Sequence, residues 1–171
     1  FHIPLQSGSD YILRRMKRRY LSKLYRDRVY KIKELMPHCC IGVDVIVGFP
    51  GETEDYFMET VDFLKSLPVS YFHVFSYSER NNTKAAEMGN VVPVSKRRQR
   101  SKILRDLSLK KKRQFYSDSL RSQRQVLFES KVKDSMLEGW TDNYIKVAVP
   151  YESSLVNQVV DAKLIDFDEN G

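Results

Sequence analysis

Residues 41–47 read Ile-Gly-Val-Asp-Val-Ile-Val and stop abruptly at Gly48-Phe49-Pro50-Gly51-Glu52-Thr53. A near-continuous β-branched run of this kind is expected of a strand covered on both faces, as in a parallel sheet flanked by helices. The glycine–proline punctuation then turns the chain into a helix, capped by Thr53 and carrying Phe57, Val61 and Leu64 inward as far as about residue 67. Residues 1–5 and 71–77 read as two further strands. Between the first two strands, one helix follows Ser9, placed as its N-cap, with Ile12, Leu13 and Met16 on one side. A second runs from about Ser22 to Met36 and is stopped by Pro37. Strand–helix–strand–helix–strand with such connections implies parallel β/α units.

The polar loop 78–94 ends in Pro93, and a long basic helix is expected over 95–120. Beyond Arg121 the helical period disappears. Residues 125–132, 144–149 and 156–167 read as strands joined by turns, a small all-β module. Charge follows the same division. The formal net charge is +7, but residues 95–124 alone carry +10, residues 129–171 carry −5, and the rest about +2. A concentrated positive field favours a polyanion, with nucleic acid ahead of an anionic membrane surface. No apolar run approaches the roughly 20 residues that cross a bilayer, and no signal-peptide pattern opens the chain. Its start at Phe1, inside a strand, is expected of a piece of something longer. The only cysteines, Cys39 and Cys40, are adjacent, which suits neither a disulfide framework nor a spaced metal site and points to a structural role in a reducing cytoplasm.

Three loops fall at the carboxyl edge of the expected parallel strands, where ligands bind in open and barrel α/β folds. They are Gln6-Ser7-Gly8-Ser9, the 48–53 loop, and Ser76-Tyr77-Ser78-Glu79-Arg80. The 48–53 loop is not a Walker loop, because no Lys-Ser/Thr follows, nor a dinucleotide fingerprint, because the glycine spacing is wrong. Each loop alone is as easily a tight turn or a cap; their convergence on one rim carries more weight. His2 and His73, isolated in or beside strands, read as core histidines with satisfied hydrogen bonds. Arg18 stands among basic neighbours on what reads as a solvated helix. No Ser–His–Asp signature, His-Glu-x-x-His or spaced cysteine cluster occurs, so demanding chemistry here would belong to a cofactor.

Taken in order, four strings carry a resemblance to a known family. They are His2-Ile3-Pro4-Leu5-Gln6-Ser7-Gly8-Ser9, Leu13-x-x-Met16-x-Arg18-x-Tyr20, Asp44-x-Ile46-Val47-Gly48-Phe49-Pro50-Gly51-Glu52-Thr53 and Tyr77-Ser78-x-Arg80-x-x-Thr83-x-Ala85. Together they resemble the radical S-adenosylmethionine (SAM) methylthiotransferases. The closing segment, with Gly139-Trp140-Thr141-x-Asn143-Tyr144, is similar to the TRAM domain that ends those enzymes. Residues 73–80 look most like the branch acting on threonylcarbamoyladenosine beside the tRNA anticodon. The branch acting on isopentenyladenosine usually has proline where this chain has Glu79. A non-catalytic RNA-binding module is the reading from another class.

The resemblance implies the C-terminal portion of a partial parallel (β/α) radical SAM barrel, residues 1–120, followed by a small all-β TRAM barrel, residues 121–171. It implies a cytoplasmic enzyme that transfers a methylthio group to a tRNA adenosine with S-adenosylmethionine and two [4Fe-4S] clusters. The cluster cysteines are expected upstream, so the segment is expected to be inactive alone. Gln6, Ser7, Arg18, Val47, Gly48, Phe49, Glu52, Val74 and Phe75 are implied around S-adenosylmethionine, and Arg18 offers a planar fork suited to its carboxylate. Ser78 and Arg80 are implied near the substrate nucleotide. Lys110, Lys111, Lys112 and Arg113 would meet phosphates of the tRNA anticodon stem-loop, and Thr141, Asn143 and Tyr144 would present the β module to RNA. Gly139 reads as a backbone requirement, Asn143 alternatively as the holder of a turn, and Trp140 as core or stacking platform alike.

Overall fold

The computed structural model describes residues 1–167; residues 168–171, the end of the expected β module, lie outside the described residues. Three strands, β1 (His2–Gln6), β2 (Gly42–Val47) and β3 (Tyr71–Ser76), form a parallel sheet in that order. Helices α1 (Asp10–Arg15) and α2 (Ser22–Leu35) connect β1 to β2, and α3 (Glu54–Ser66) connects β2 to β3. The expected β/α alternation is therefore present, with boundaries within a residue or two of those read from the sequence.

The covering of β2 differs from expectation. Val43, Val45 and Val47 are buried together with Leu5 and Phe72, and the helices add buried Ile12, Leu13, Val29, Phe57, Val61 and Leu64 to this core. Each fully buried leucine or phenylalanine contributes about 1.5–3 kcal/mol. Asp44 and Ile46, on the alternate positions, are only half-buried, and His2, His73 and Phe75 on the flanking strands are exposed. Only one face of the sheet is thus covered among the described residues. The continuous apolar run concealed a period-2 alternation, because Ile46 is apolar on the more open face.

Local chemistry sets the helix ends. The Thr53 hydroxyl accepts the Tyr56 N–H at 3.3 Å and caps α3 as expected. Ser9 occupies the N-cap position of α1 but makes no side-chain cap bond. Its neighbourhood is organised instead by Ser7, whose hydroxyl accepts the Ser9 N–H at 3.2 Å and pairs with the Thr60 hydroxyl at 3.2 Å. Helix α1 closes in a Schellman turn: Lys17 is left-handed at φ +54°, its N–H donates to the Arg14 carbonyl, and the Arg18 N–H donates to the Leu13 carbonyl, both at 2.9 Å.

Helix α4 (Val94–Ser119) matches the expected basic helix. Two compact units divide the chain: Phe1–Pro37 with Ile41–Lys112, and His38–Cys40 with the residues from Arg113 onward. In the second unit β4 (Gln123–Lys133), β5 (Met136–Thr141), β6 (Lys146–Pro150) and β7 (Val159–Lys163) form an antiparallel sheet of order β6-β5-β4-β7. Its core is Val126, Phe128 and Leu137, joined by Val147, Val149, Leu155, Val156, Val160 and Ala162. A smaller cluster of Tyr116, Ile145 and Leu164 lies in the same unit.

Strand β5 was not expected from the sequence. Its residues Leu137, Glu138 and Gly139 are consecutively buried, so no polar–apolar alternation marks it. The expected strand 144–149 starts later, at Lys146, because Thr141, Asn143 and Ile145 are tied into a turn. The expected strand 156–167 shrinks to β7, preceded by a short 3-10 turn at Ser153–Leu155.

Candidate functional site

Because β1, β2 and β3 are parallel, the loops that follow them lie along one edge of the sheet. The first leaves β1 through Gln6, whose φ of +74° is unusual for a non-glycine residue and coincides with a shift of the β1–β2 register after Pro4. Gln6 and Ser7 are buried there, and the Ser7 hydroxyl is used within its own loop and by Thr60.

The second loop is built on a carboxylate. Gly48 takes φ +79°, and its N–H donates to Glu52 Oε2 at 2.7 Å, so Glu52 folds the loop back on itself. A Cβ on Gly48 would lie 2.4 Å from the Arg97 Cγ, which explains glycine on steric as well as conformational grounds. Glu52 also accepts from Arg100 Nη1 at 2.8 Å, and both side chains are almost fully buried. Burial pushes the Glu52 carboxyl above the ordinary carboxylate range, while the Gly48 N–H and Arg100 pull it back. Val47 is buried on the face shared with Val43 and Val45, and its carbonyl accepts the Tyr77 N–H at 2.8 Å. Phe49 is buried edge-on to Tyr77, with ring centroids 5.4 Å apart.

The third loop is held by Glu79. Its carboxylate accepts from both Nη atoms of Arg97, which also donates to the Tyr77 carbonyl at 2.8 Å and the Val92 carbonyl at 2.7 Å. The Arg97 hydrogen bond draws the Glu79 carboxyl below its usual range. Ser78 and Arg80 are exposed, as is Phe75, while Val74 is half-buried. Arg18 is exposed just beyond the Schellman turn. The structure thus brings Gly48, Phe49 and Glu52 into one bonded assembly, but makes no hydrogen bond from the Arg18 side chain to Gln6 or Ser7.

Three polar atoms along this edge are buried with no hydrogen-bond partner among the described residues: Ser9 Oγ, Glu52 Oε1 and the Tyr77 hydroxyl. Buried polar groups are ordinarily satisfied, so unpartnered ones at a strand-end rim suit a polar ligand.

On α4, Lys110, Lys112 and Arg113 are exposed. Lys111 is not available in the same way: its ammonium donates to the Lys65 carbonyl at 2.9 Å and to the Leu67 carbonyl, at the end of α3. Burial lowers its pKa. In the second unit, the Thr141 hydroxyl donates to Asn143 Oδ1 and accepts the Ile145 N–H, each at 2.7 Å. Asn143 Nδ2 donates to the His38 carbonyl at 3.0 Å. Thr141 and Asn143 are therefore buried holders of the turn. That turn presents Tyr144, left-handed at φ +67° and exposed, stacked on Trp140 with centroids 4.7 Å apart.

Residues 1–64 match the Radical SAM superfamily. Over 168 residues the chain is 37% identical to the threonylcarbamoyladenosine tRNA methylthiotransferase MtaB of Bacillus subtilis, a match covering 96% of this chain and 37% of the relative. It is 41% identical over 147 residues to MtaB of Aquifex aeolicus, covering 86% of this chain and 35% of that protein. It is 37% identical over 166 residues to the tRNA-2-methylthio-N(6)-dimethylallyladenosine synthase of Symbiobacterium thermophilum, covering 96% and 35%. The chain spans a little over a third of the length of these curated relatives.

Sequence reasoning missed the partners that fix the rim. Arg97 and Arg100 contribute to the +10 charge of residues 95–124, yet they clamp Glu79, Glu52 and Glu54. Thr60, the partner of Ser7, went unnoticed. His2 and His73 are exposed and so are not core residues, although His2 has the hydrogen-bond partner expected of it, Asp44, which also lies 3.4 Å from His73. The available signal was spacing: Arg97, Arg100, Leu104, Ser108 and Lys111 recur at helical period.

Proposed function

We propose that this chain is the end of the radical SAM domain and the RNA-binding end of a tRNA methylthiotransferase acting on threonylcarbamoyladenosine beside the anticodon. The observation that carries the reading is the similarity of 86–96% of the chain to proteins of that name. Bound S-adenosylmethionine and two [4Fe-4S] clusters, whose ligating cysteines are not among these residues, would supply the radical and sulfur chemistry. The unpartnered Ser9, Glu52 and Tyr77 atoms support a polar cofactor at the rim.

In this reading Gln6 and the Ser7 loop bound one side of the cofactor site, and the exposed Arg18 guanidinium receives a carboxylate. The backbone of residues 47–49, held by Glu52, and the side chains of Val74 and Phe75 line the adenine side. Ser78 and Arg80, on the loop anchored by Glu79, approach the substrate nucleotide. The module from residue 121 is a TRAM barrel that stacks unpaired bases of the anticodon stem-loop on Tyr144 and Trp140, with Thr141 and Asn143 supporting that turn. Lys110, Lys112 and Arg113 meet phosphates. The enzyme works in the cytoplasm; no helix among the described residues is long and apolar enough to cross a membrane.

The deciding experiment is nucleoside mass analysis of total tRNA with and without the parent gene. Loss of the methylthio mark on threonylcarbamoyladenosine is the expected result. Loss on isopentenyladenosine instead would overturn the substrate, and no change in either would overturn the enzyme reading in favour of an RNA-binding module.

A further inference from the structure

The half-open face of the parallel sheet carries a cluster that the rim chemistry does not use. His2 on β1, Asp44 on β2 and His73 on β3 come from three adjacent strands. His2 Nε2 lies 2.7 Å and His73 Nδ1 3.4 Å from the same oxygen, Asp44 Oδ1. The three donor atoms all lie within 4.8 Å of one another. The two imidazole centroids are 5.0 Å apart and tilted by 33°. Tyr71 flanks both histidine rings on one side, and Phe75 lies edge-on to His73 on the other.

We propose that His2, Asp44 and His73 form a binding site for one divalent first-row transition-metal ion, of the two-histidine, one-carboxylate kind. Ligands around a tetrahedral Zn²⁺ at about 2.0–2.2 Å stand roughly 3.2–3.6 Å apart. The His73–Asp44 separation already fits that range. The His2–Asp44 contact must open by about 0.5 Å, and the two histidine nitrogens, within 4.8 Å of each other, must draw in by up to about 1.2 Å to meet the same geometry. His2 is 39% and His73 54% exposed, so a small ring rotation is free to supply the adjustment. The donors stand on neighbouring strands of one hydrogen-bonded ladder, in which Asp44 pairs with His73 and with Pro4. Backbone positions are therefore fixed before any ion arrives, as precise sites require.

The donor set chooses the ion. Imidazole and carboxylate suit Zn²⁺, Fe²⁺ or Co²⁺, whereas Mg²⁺ and Ca²⁺ prefer all-oxygen shells and iron–sulfur clusters prefer thiolates. Three protein ligands on an open face leave coordination positions for water or for a group of an incoming molecule. The three ligands lie on the strands and not in the rim loops, while Phe75, edge-on to His73, is shared with the adenine side of the proposed cofactor site.

The chain contains three histidines, His2, His38 and His73, which makes the test direct. Zn²⁺ is titrated into the apo chain labelled with ¹⁵N-histidine, and the imidazole resonances are followed, with Mg²⁺ as a control. The expected result is saturation at one equivalent, with the His2 and His73 rings shifted to metal-bound positions, His38 unmoved, and no response to Mg²⁺. Co²⁺ absorption then measures affinity in the unaltered chain and in the Asp44→Asn and His73→Ala variants. Each is expected to weaken binding by more than about 100-fold, beyond the 10–100-fold that removal of a mere supporting partner costs. A Cys39→Ser/Cys40→Ser variant is expected to bind as the unaltered chain does. Unmoved His2 and His73 signals, a response of His38 alone, or equal Co²⁺ affinity in Asp44→Asn would overturn the proposal. The resonance measurement needs no substitution, so a variant that fails to fold does not rescue it.

Discussion

Replacing Arg100 by methionine keeps the apolar stem and removes the guanidinium, and the structure fixes what is lost. Arg100 Nη1 donates to Glu52 Oε2 at 2.8 Å and to the Glu52 carbonyl at 2.9 Å, while Nη2 donates to Glu54 Oε2 at 3.0 Å. The Glu54 side chain is 58% exposed, so its share is small. The Glu52 side chain is 1% exposed and would keep only the Gly48 N–H as partner. Breaking one side of a buried pair of this kind costs about 3–5 kcal/mol, because the remaining charge is left uncompensated in a poorly solvating site.

The pH dependence carries a sign. Burial already raises the Glu52 pKa above 4.5, and removal of Arg100 raises it further. A native acid with a raised pKa binds more protons than its unfolded counterpart. Stability therefore falls as pH rises from the ordinary value through the native one. In urea titrations, Arg100→Met is expected to lose more stability at about pH 8 than at about pH 5. Adding Glu52→Gln removes the stranded charge and is expected to restore more than about 1 kcal/mol, a coupling typical of contacting residues. A loss below about 1 kcal/mol, a loss equal at both pH values, or no recovery in the double variant would refute the argument that this pair holds the 48–54 loop.

Gly139→Ala is expected to destabilise the second unit by about 1–3 kcal/mol, since its Cβ would lie 2.7 Å from the Leu127 carbonyl oxygen; thermal unfolding checks it. Thr141→Val removes the hydroxyl that serves Asn143 and Ile145 and is expected to cost about 1–3 kcal/mol, while Tyr144→Ala leaves stability unchanged but weakens single-stranded RNA binding by about 1–3 kcal/mol. Neutralising Lys110, Lys112 or Arg113 should each lower the salt slope of tRNA binding by about one. Lys111→Met should lower stability by about 1 kcal/mol and leave that slope unchanged, because its ammonium is engaged by the end of α3; a changed slope would return Lys111 to the phosphate-facing set.

The parallel β/α units, the three rim loops and the Thr53 cap were legible because β-branched runs, Gly–Pro punctuation and helix-capping residues act locally. Strand β5 was not, since burial of both its faces erases the alternation that announces a strand. The pairing of Asp44 with His2 and His73 was equally hidden. Nothing near residue 44 shows that residues 2 and 73 will stand beside it; only parallel register does so.

Helix α4 shows why charge counting goes astray even when the element is correctly placed. Its net charge is a sum, and a sum carries no direction. The buried positions Arg97, Arg100, Ser101, Leu104 and Ser108, with half-buried Lys111, form one stripe at the period of a helix. The stripe is mostly polar, so the apolar pattern that normally identifies the inward face is missing. It can face inward because each head group meets a fixed partner: Glu79 for Arg97, Glu52 and Glu54 for Arg100, the β3 backbone at Phe72 for Ser108, and the α3 carbonyls for Lys111. The Arg100 guanidinium also lies over the Phe57 ring, its Cζ 5.2 Å from the centroid. The helix therefore spends part of its charge internally, bracing the loops after β2 and β3, and offers a polyanion only what remains. Glu79, paired with Arg97, belongs to that internal bracing. Its carboxylate, held by both Nη atoms of Arg97, fixes the loop that carries Ser78 and Arg80.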